Sequence, residues 1–157
     1  MATWAEFERC EPTMAALGRK LISNEKYQIA YLATARKDGA PRVHPVCPVI
    51  AGEHIYLAIG PQSPKLHDLR RDGRYMLHAM PGKDDAEFNI RGRAAEANDD
   101  TTHAEVERAA SLVGLNVNSA EVLFRLNIEQ AATTYWEHVG QPDTRPIRRR
   151  WPAKSSR

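Results

Sequence analysis

The chain has 157 residues, 42% of them hydrophobic, and a formal net charge of +2 at pH 7, which suits a single domain with a substantial core. No apolar run approaches the roughly 20 residues that span a bilayer and no signal-peptide pattern is present, so we expect a cytoplasmic protein without a membrane partner. Cys10 and Cys47 lack CxxC spacing and the six histidines form no HExxH motif, which argues against a disulfide scaffold or a metal site.

The chain opens with two predicted helices. Thr3 and Glu6 have the spacing of a capping box, in which each side chain accepts from the backbone N–H of the other residue. After Pro12, Met14, Leu17 and Leu21 fall on one helical face, as a helix packed on a core requires. Residues 1–25 are therefore predicted as a helical N-terminal segment.

Short apolar runs follow, with turn signals between them. Residues 29–34 form the first predicted strand, and Asp38-Gly39 favours a hairpin turn into a second strand from Pro41 to about Ile50. Gly52 marks the next turn, and residues 55–59 form a third strand.

The second strand contains prolines at 41, 45 and 48, and proline cannot donate a hydrogen bond to a neighbouring strand. This pattern has two interpretations, which are compatible. The strand is an edge protected against aggregation, or the free N–H groups of Val43, His44, Val46 and Cys47 face a ligand.

The third strand leads into a helix start at Ser63-Pro64-Lys65. Ser63 suits the N-cap and Pro64 the first helical position. Lys65 is unfavourable there, because the N-terminus of a helix is its positive end, and a bound phosphate would remove that conflict. A solvated lysine at a simple helix cap is the alternative.

The second half of the chain predicts a helix over residues 101–113 with Gly114 as its C-cap, then strands at 123–128 and 131–136. Residues 141–157 form a basic tail with six Lys or Arg against one acid, a net +5 that leaves −3 for the rest. We rank a solvated or partner-docking tail first. Nucleic-acid binding ranks well below it, because no recognition helix or RNA-binding motif is visible.

Several short motifs together resemble the FMN-binding split β-barrel family typified by pyridoxamine 5'-phosphate oxidase. They are YLATARKDGAPRVHPV (31–46), IYLA (55–58) followed by SPK (63–65), LRRD (69–72) and IRGRA (90–94). The resemblance covers residues 27–98, the barrel core, whereas residues 99–140 follow it only in the order of elements. It implies one antiparallel split barrel of six or seven strands, mainly β with flanking helices, which forms a homodimer with flavin sites at the interface.

The resemblance also assigns residues to the cofactor. Arg42, Val43, His44 and Pro45 would line FMN, with Arg42 as a candidate phosphate partner. Ser63 and Lys65 would hold the phosphate. His67 could donate to the phosphate or be solvated, and His44 could instead be a packed edge residue. A glutamine that often approaches the ring in the fifth strand is replaced by Glu87.

The chain departs from the vitamin B6 oxidase at the substrate site. It lacks the Arg-x-His pair near the C-terminus and the Tyr, Arg and Ser set on the late helix. We therefore expect an FMN-dependent oxidoreductase that acts on a small molecule other than pyridoxamine phosphate, and assign no catalytic residue. The alternatives are a non-enzymatic flavin, deazaflavin or haem binding protein, with haem ranked last, and an interaction protein that has lost its cofactor.

Overall fold

A computed structural model describes residues 1–23, 28–82 and 84–152. Its helices are α1 (Trp4–Cys10), α2 (Pro12–Ile22), α3 (Pro64–Arg71) and α4 (Asp100–Leu112). Its strands are β1 (Ala30–Ala35), β2 (Pro41–Val46), β3 (Val49–Ala51), β4 (His54–Ile59), β5 (Arg74–Ala79), β6 (Glu87–Glu96), β7 (Val122–Glu137) and β8 (Arg145–Trp151).

The strands form one antiparallel sheet in the order β2-β1-β5-β6-β7-β4-β3, with β8 also paired to β7. β6 follows one edge of β7, while β4 pairs with the first part of the opposite edge and β8 with the last part. The sheet does not close between β2 and β3. The split-barrel prediction is confirmed, with eight strands in the described residues instead of six or seven.

The prediction of one continuous second strand, from Pro41 to about Ile50, is wrong. Cys47 and Pro48 interrupt it, so that β2 pairs with β1 and β3 pairs with β4 at the other end of the sheet. Pro48 lacks the N–H that a ladder requires, and the chain changes neighbour at this point.

The predicted strands at 123–128 and 131–136 are in fact one strand, β7, of 16 residues. Glu129 and Gln130 do not turn the chain. The pairing of β6 with β7 instead shifts register between Arg91 and Gly92, which places an extra residue in β7 at this point. Gly92 is required there, because an added Cβ would lie 1.9 Å from the carbonyl oxygen of Asn127.

The basic tail is not a solvated arm over its described part. Residues 145–151 form β8 along β7, and the Trp151 ring lies 5.3 Å from that of Phe7, centroid to centroid. Residues 153–157 of the tail lie outside the described residues, as do residues 24–27.

The main core lies between the barrel strands and the two N-terminal helices. The capping box at Thr3 and Glu6 is confirmed, and α1 buries Trp4 and Phe7 against Phe88 of β6. The helix α2 buries Met14, Leu21 and Ile22 in the same cluster, with Leu17 partly buried beside it. A smaller core forms where α4 packs on β3, β4 and β7. No helix in the described residues is long and apolar enough to cross a membrane.

Candidate functional site

The helix α3 begins where the sequence predicts. Ser63 is the N-cap residue with an extended backbone, and Pro64 is the first helical residue. The expected side-chain cap is absent, however, because the Ser63 hydroxyl accepts no backbone N–H of α3. The hydroxyl therefore remains available to a ligand at this helix start.

Lys65 is a partly buried cation without an ion-pair partner among the described residues. It lines a pocket of about 290 Å³ between the end of β2, Gly60 and the loop that precedes β7. Burial lowers the pKa of Lys65 below its usual value, and the Glu121 carboxylate in the same pocket opposes that change. Such a cation is stabilised by a bound anion more than a solvated lysine is.

Asp68, on the same helix, is a buried carboxylate with three hydrogen-bond donors. Arg42 Nε donates to its Oδ2 at 2.7 Å and Thr34 Oγ1 donates to the same oxygen at 3.0 Å. Arg71 Nη2 donates to Oδ1 at 3.1 Å. Burial would raise the pKa of Asp68, but the hydrogen bonds from Arg42, Arg71 and Thr34 outweigh it and lower the pKa. Asp68 is thus ionised and ties β1 and β2 to α3.

His44 feels the charges of both Lys65 and Arg42. Its Nε2 is buried and has no hydrogen-bond partner among the described residues. Burial lowers the pKa of His44, and the positive charges of Lys65 and Arg42 lower it further, so that the imidazole is neutral at pH 7. A buried polar atom of this kind gains stability from a hydrogen bond, which a ligand group or an ordered water would supply.

The candidate residues of β2 divide between two faces. Side chains alternate along a strand, so Arg42 and His44 lie on the face toward α3 while Val43 and Pro45 lie on the other face. Pro45, near the end of β2, also lines the Lys65 pocket. Val43 is 59% exposed, and it belongs to an apolar outer face with Tyr31 (44% exposed) of β1 and Met76 (41% exposed) of β5. Within the described strands β2 pairs only with β1, so its other edge is open, as the prolines predict.

His67 and Glu87 do not line the Lys65 pocket. His67 is exposed and lines a separate groove with Arg42 and Arg71. Glu87, at the position of the ring-contacting glutamine, begins β6, which β1 and β5 separate from β2.

Sequence reasoning missed Asp68 and Glu121. Asp68 lies directly between the cationic residues Lys65 and Arg71, next to the apolar Leu69. A single acid between two leucines in an otherwise basic helix was the signal that could have indicated a buried carboxylate. Glu121 carried no comparable signal, because only the tertiary fold brings its loop to Lys65.

Comparisons with known proteins agree with the split-barrel fold. The chain matches solved structures of a candidate pyridoxamine 5'-phosphate oxidase from Listeria innocua (18% identity, TM-score 0.58, covering 74% of this chain and 95% of that one). It also matches a heme binding protein from Mycobacterium smegmatis (17% identity, TM-score 0.61, 85% and 57% covered). A third match is a candidate 5-nitroimidazole antibiotic resistance protein from Bacteroides thetaiotaomicron (13% identity, TM-score 0.60, 74% and 81% covered).

At these identities the structural likeness shows the fold alone. No curated protein matches the chain. The sequence model of the pyridoxamine 5'-phosphate oxidase family, however, matches residues 20–135, well over half of the chain. The chain therefore belongs to the pyridoxamine 5'-phosphate oxidase family of split-barrel proteins.

Proposed function

We propose that this protein is an FMN-dependent oxidoreductase that acts on a small molecule other than pyridoxamine phosphate. The observation that carries the proposal is Lys65, a partly buried cation at a helix start that has no ion-pair partner among the described residues. The Ser63 hydroxyl at the same helix start caps no backbone N–H of α3, and His44, which feels the charge of Lys65, has a buried Nε2 without a partner in the described part of the chain. These groups together fit a phosphate and a neighbouring polar group of one ligand.

The residues present have distinct roles toward FMN. Ser63 and Lys65 hold the phosphate, with the backbone N–H groups of the first turn of α3. His44, being neutral, exchanges a hydrogen bond with a carbonyl, hydroxyl or ring nitrogen of the cofactor. Val43 and Pro45 offer an apolar edge of β2 on the outward side of the strand. When bound, FMN supplies hydride transfer, and the protein supplies binding and orientation.

Substrate choice follows from what the chain lacks. The arginine, histidine and tyrosine groups that would bind pyridoxamine phosphate have no counterparts in the sequence. A site without phosphate partners for that substrate cannot orient it for reaction.

The proposal includes a homodimer with the flavin sites at its interface. Tyr31, Val43 and Met76 form an exposed apolar face on β1, β2 and β5, beside the open edge of β2. An apolar face of this kind is typical of protein interfaces, and a second copy covering it would also shield the edge strand.

The first experiment measures the visible spectrum of the purified protein and its fluorescence titration with FMN. We expect the spectrum to show flavin bands. We also expect Lys65→Ala to lower the affinity for FMN by about 10- to 150-fold, since a charge-assisted hydrogen bond contributes about 1.5 to 3 kcal/mol. Lys20→Ala, an exposed lysine on α2, is the matched control and should leave the affinity unchanged. A colourless protein that ignores added FMN would contradict the proposal.

Haem or deazaflavin binding is the alternative function. A neutral His44 with an unpartnered Nε2 is also the form of imidazole that ligates haem iron, and one structural relative is a heme binding protein. A Soret band that His44→Ala abolishes would favour haem. A deazaflavin shares the phosphate, so tighter binding of deazaflavin than of FMN would identify that cofactor.

A further inference from the structure

A groove lies between the tip of the β1–β2 hairpin and one face of α3. It has a volume of about 590 Å³, within the range of small-molecule sites. Arg36, Lys37, Arg42, His67 and Arg71 line it, and we call it the hairpin groove. Lys65 does not line it but lines the separate 290 Å³ pocket, so the two spaces lie on different sides of the first turn of α3.

The hairpin groove is cationic. Three arginines, two from the hairpin and one from α3, and Lys37 contribute positive charge, while its carboxylates are Asp38 and Asp68. Arg36 pairs with Asp38 at 3.2 Å, and Arg42 and Arg71 share the single carboxylate of Asp68. The described residues provide no acidic partner for Lys37. One guanidinium and one ammonium group are therefore left without a neutralising charge.

The two arginines that share Asp68 are anchored in advance of any ligand. The Asp68 side chain is only 4% exposed, and Arg71 also donates to the carbonyl oxygen of Ala35. Arg42 commits its Nε to Asp68, which leaves its Nη groups to face the groove without a partner among the described residues. Because both guanidinium groups are held by a buried acid, an anion that binds them does not have to order them.

We propose that the hairpin groove is an anion subsite for a pyrophosphate group of a small molecule, separate from the Ser63–Lys65 phosphate site. The paired guanidinium groups of Arg42 and Arg71 hold one phosphate in bidentate fashion, and Lys37 and His67 at the rim meet the next. A volume of about 590 Å³ leaves room for the organic part of the ligand. This assigns Arg42 to the hairpin groove and not to the flavin phosphate.

A small molecule fits the groove better than a nucleic acid does. Asp38 and Asp68 interrupt the positive charge within it, whereas nucleic-acid sites track many phosphates along a continuous basic surface. Duplex binding is the competing outcome of the test.

The test is an NMR titration of the full chain with inorganic pyrophosphate at low salt, with inorganic phosphate as a weaker comparison. We expect saturable amide shifts in residues 36–42 and 67–71. The double variant Lys37→Ala, Arg71→Lys keeps a cation at Asp68 and should weaken pyrophosphate by about 10-fold or more, because bidentate contact is lost. The control is Arg145→Ala, since Arg145 lies on β8, pairs with Glu137 of β7 and does not line the groove; this variant should bind as the wild type does.

Lys65→Ala separates this proposal from the flavin proposal. This variant should weaken the binding of FMN but leave the binding of pyrophosphate unchanged. The two proposals can therefore be contradicted independently. Shifts confined to residues 63–65, or pyrophosphate binding that the double variant does not change, would overturn the subsite. Duplex DNA that binds the groove residues and displaces pyrophosphate would overturn it as well.

Discussion

A buried carboxylate destabilises a protein unless hydrogen bonds replace the water it has lost. Asp68 meets this condition with donors from Thr34, Arg42 and Arg71, which belong to β1, β2 and α3. One residue thereby fixes the position of the helix that begins at Ser63 relative to the edge strand. The geometry of both proposed anion sites depends on this contact.

We expect Asp68→Ala to lower the free energy of unfolding by about 3 kcal/mol, because it leaves two arginines without their shared acid. The value is at the lower end for buried ion pairs, since Arg42 and Arg71 reach solvent. Urea denaturation measures the change. Asp38→Ala removes an exposed carboxylate on the hairpin and should cost much less. Equal losses in the two variants would show that Asp68 has no special role.

The stabilisation by Asp68 should also depend on pH. Its folded-state pKa is lower than the ordinary value of 3.8, so the contribution is complete above that value and is lost as pH falls through the folded-state pKa. The stability difference between the wild type and Asp68→Asn should therefore be constant from about pH 7 to about pH 5 and shrink below about pH 4. A difference that grows on acidification would contradict the assigned hydrogen bonds.

At the residue scale the sequence predicted the helix start but not its contacts. Ser63 and Pro64 were recognisable because N-cap preferences are local. The Ser63 hydroxyl was wrongly expected to cap the helix. The pairing of Asp68 with Arg42 joins residues 26 positions apart in the chain, and no local pattern reports such a contact.

Among the elements, β6 and β7 approach each other too closely at Gly92 to admit a side chain. Gly92 lies at the register shift between them, and its Cα faces the backbone of Asn127. Backbone atoms cannot withdraw as a flexible side chain can, so this glycine is required for its lack of a side chain.

Gly92→Ala should lower the free energy of unfolding by about 3 kcal/mol or more, since the new Cβ would lie 1.9 Å from a carbonyl oxygen. Thermal denaturation followed by circular dichroism measures this. The control is Gly60→Ala, because Gly60 has open space around its Cα and no left-handed backbone. If both variants unfold at the same temperature as the wild type, β6 and β7 are not paired in this register.

The elements that the sequence missed share one physical cause. β7 was predicted as two strands, yet a bulge accommodates an extra residue without ending a strand. The second strand was predicted to continue to about Ile50, whereas the chain changes its paired neighbour after Val46. Strand pairing, which sequence periodicity does not show, decided both cases.

For the whole molecule, the outer face of Tyr31, Val43 and Met76 carries the proposed dimer. Met76→Asp should produce monomers in sedimentation experiments, because burying an unpaired carboxylate in an interface is costly. Flavin occupancy should fall in parallel if the sites lie at the interface. Leu112→Asp changes an apolar residue that is 85% exposed on α4 and should remain dimeric. A wild-type monomer would exclude the dimer directly.

The global architecture was predictable, whereas the place of the basic tail was not. Alternating apolar runs and turn residues indicated an antiparallel barrel, because those signals repeat along the chain. The positive charge of residues 141–157 predicted a solvated or partner-docking tail, because a count of charges does not show that residues 145–151 pair with β7. Trp151 was the one residue whose packing onto Phe7 anchors the strand.

The sheet order also bears on how the chain is made by the ribosome. β4 ends at Ile59, but its long-range neighbour β7 begins only at Val122, about 60 residues later. At translation rates of about 5 to 20 residues per second, that interval lasts roughly 3 to 12 s. During this time β4 can pair only with β3, which faces His54, Ile55 and Tyr56. Leu57 and Ile59, which are buried in the finished protein, have no paired strand until β7 is made. The nascent β3–β4 hairpin is thus the segment that a cell must keep from aggregating until β7 has been synthesised.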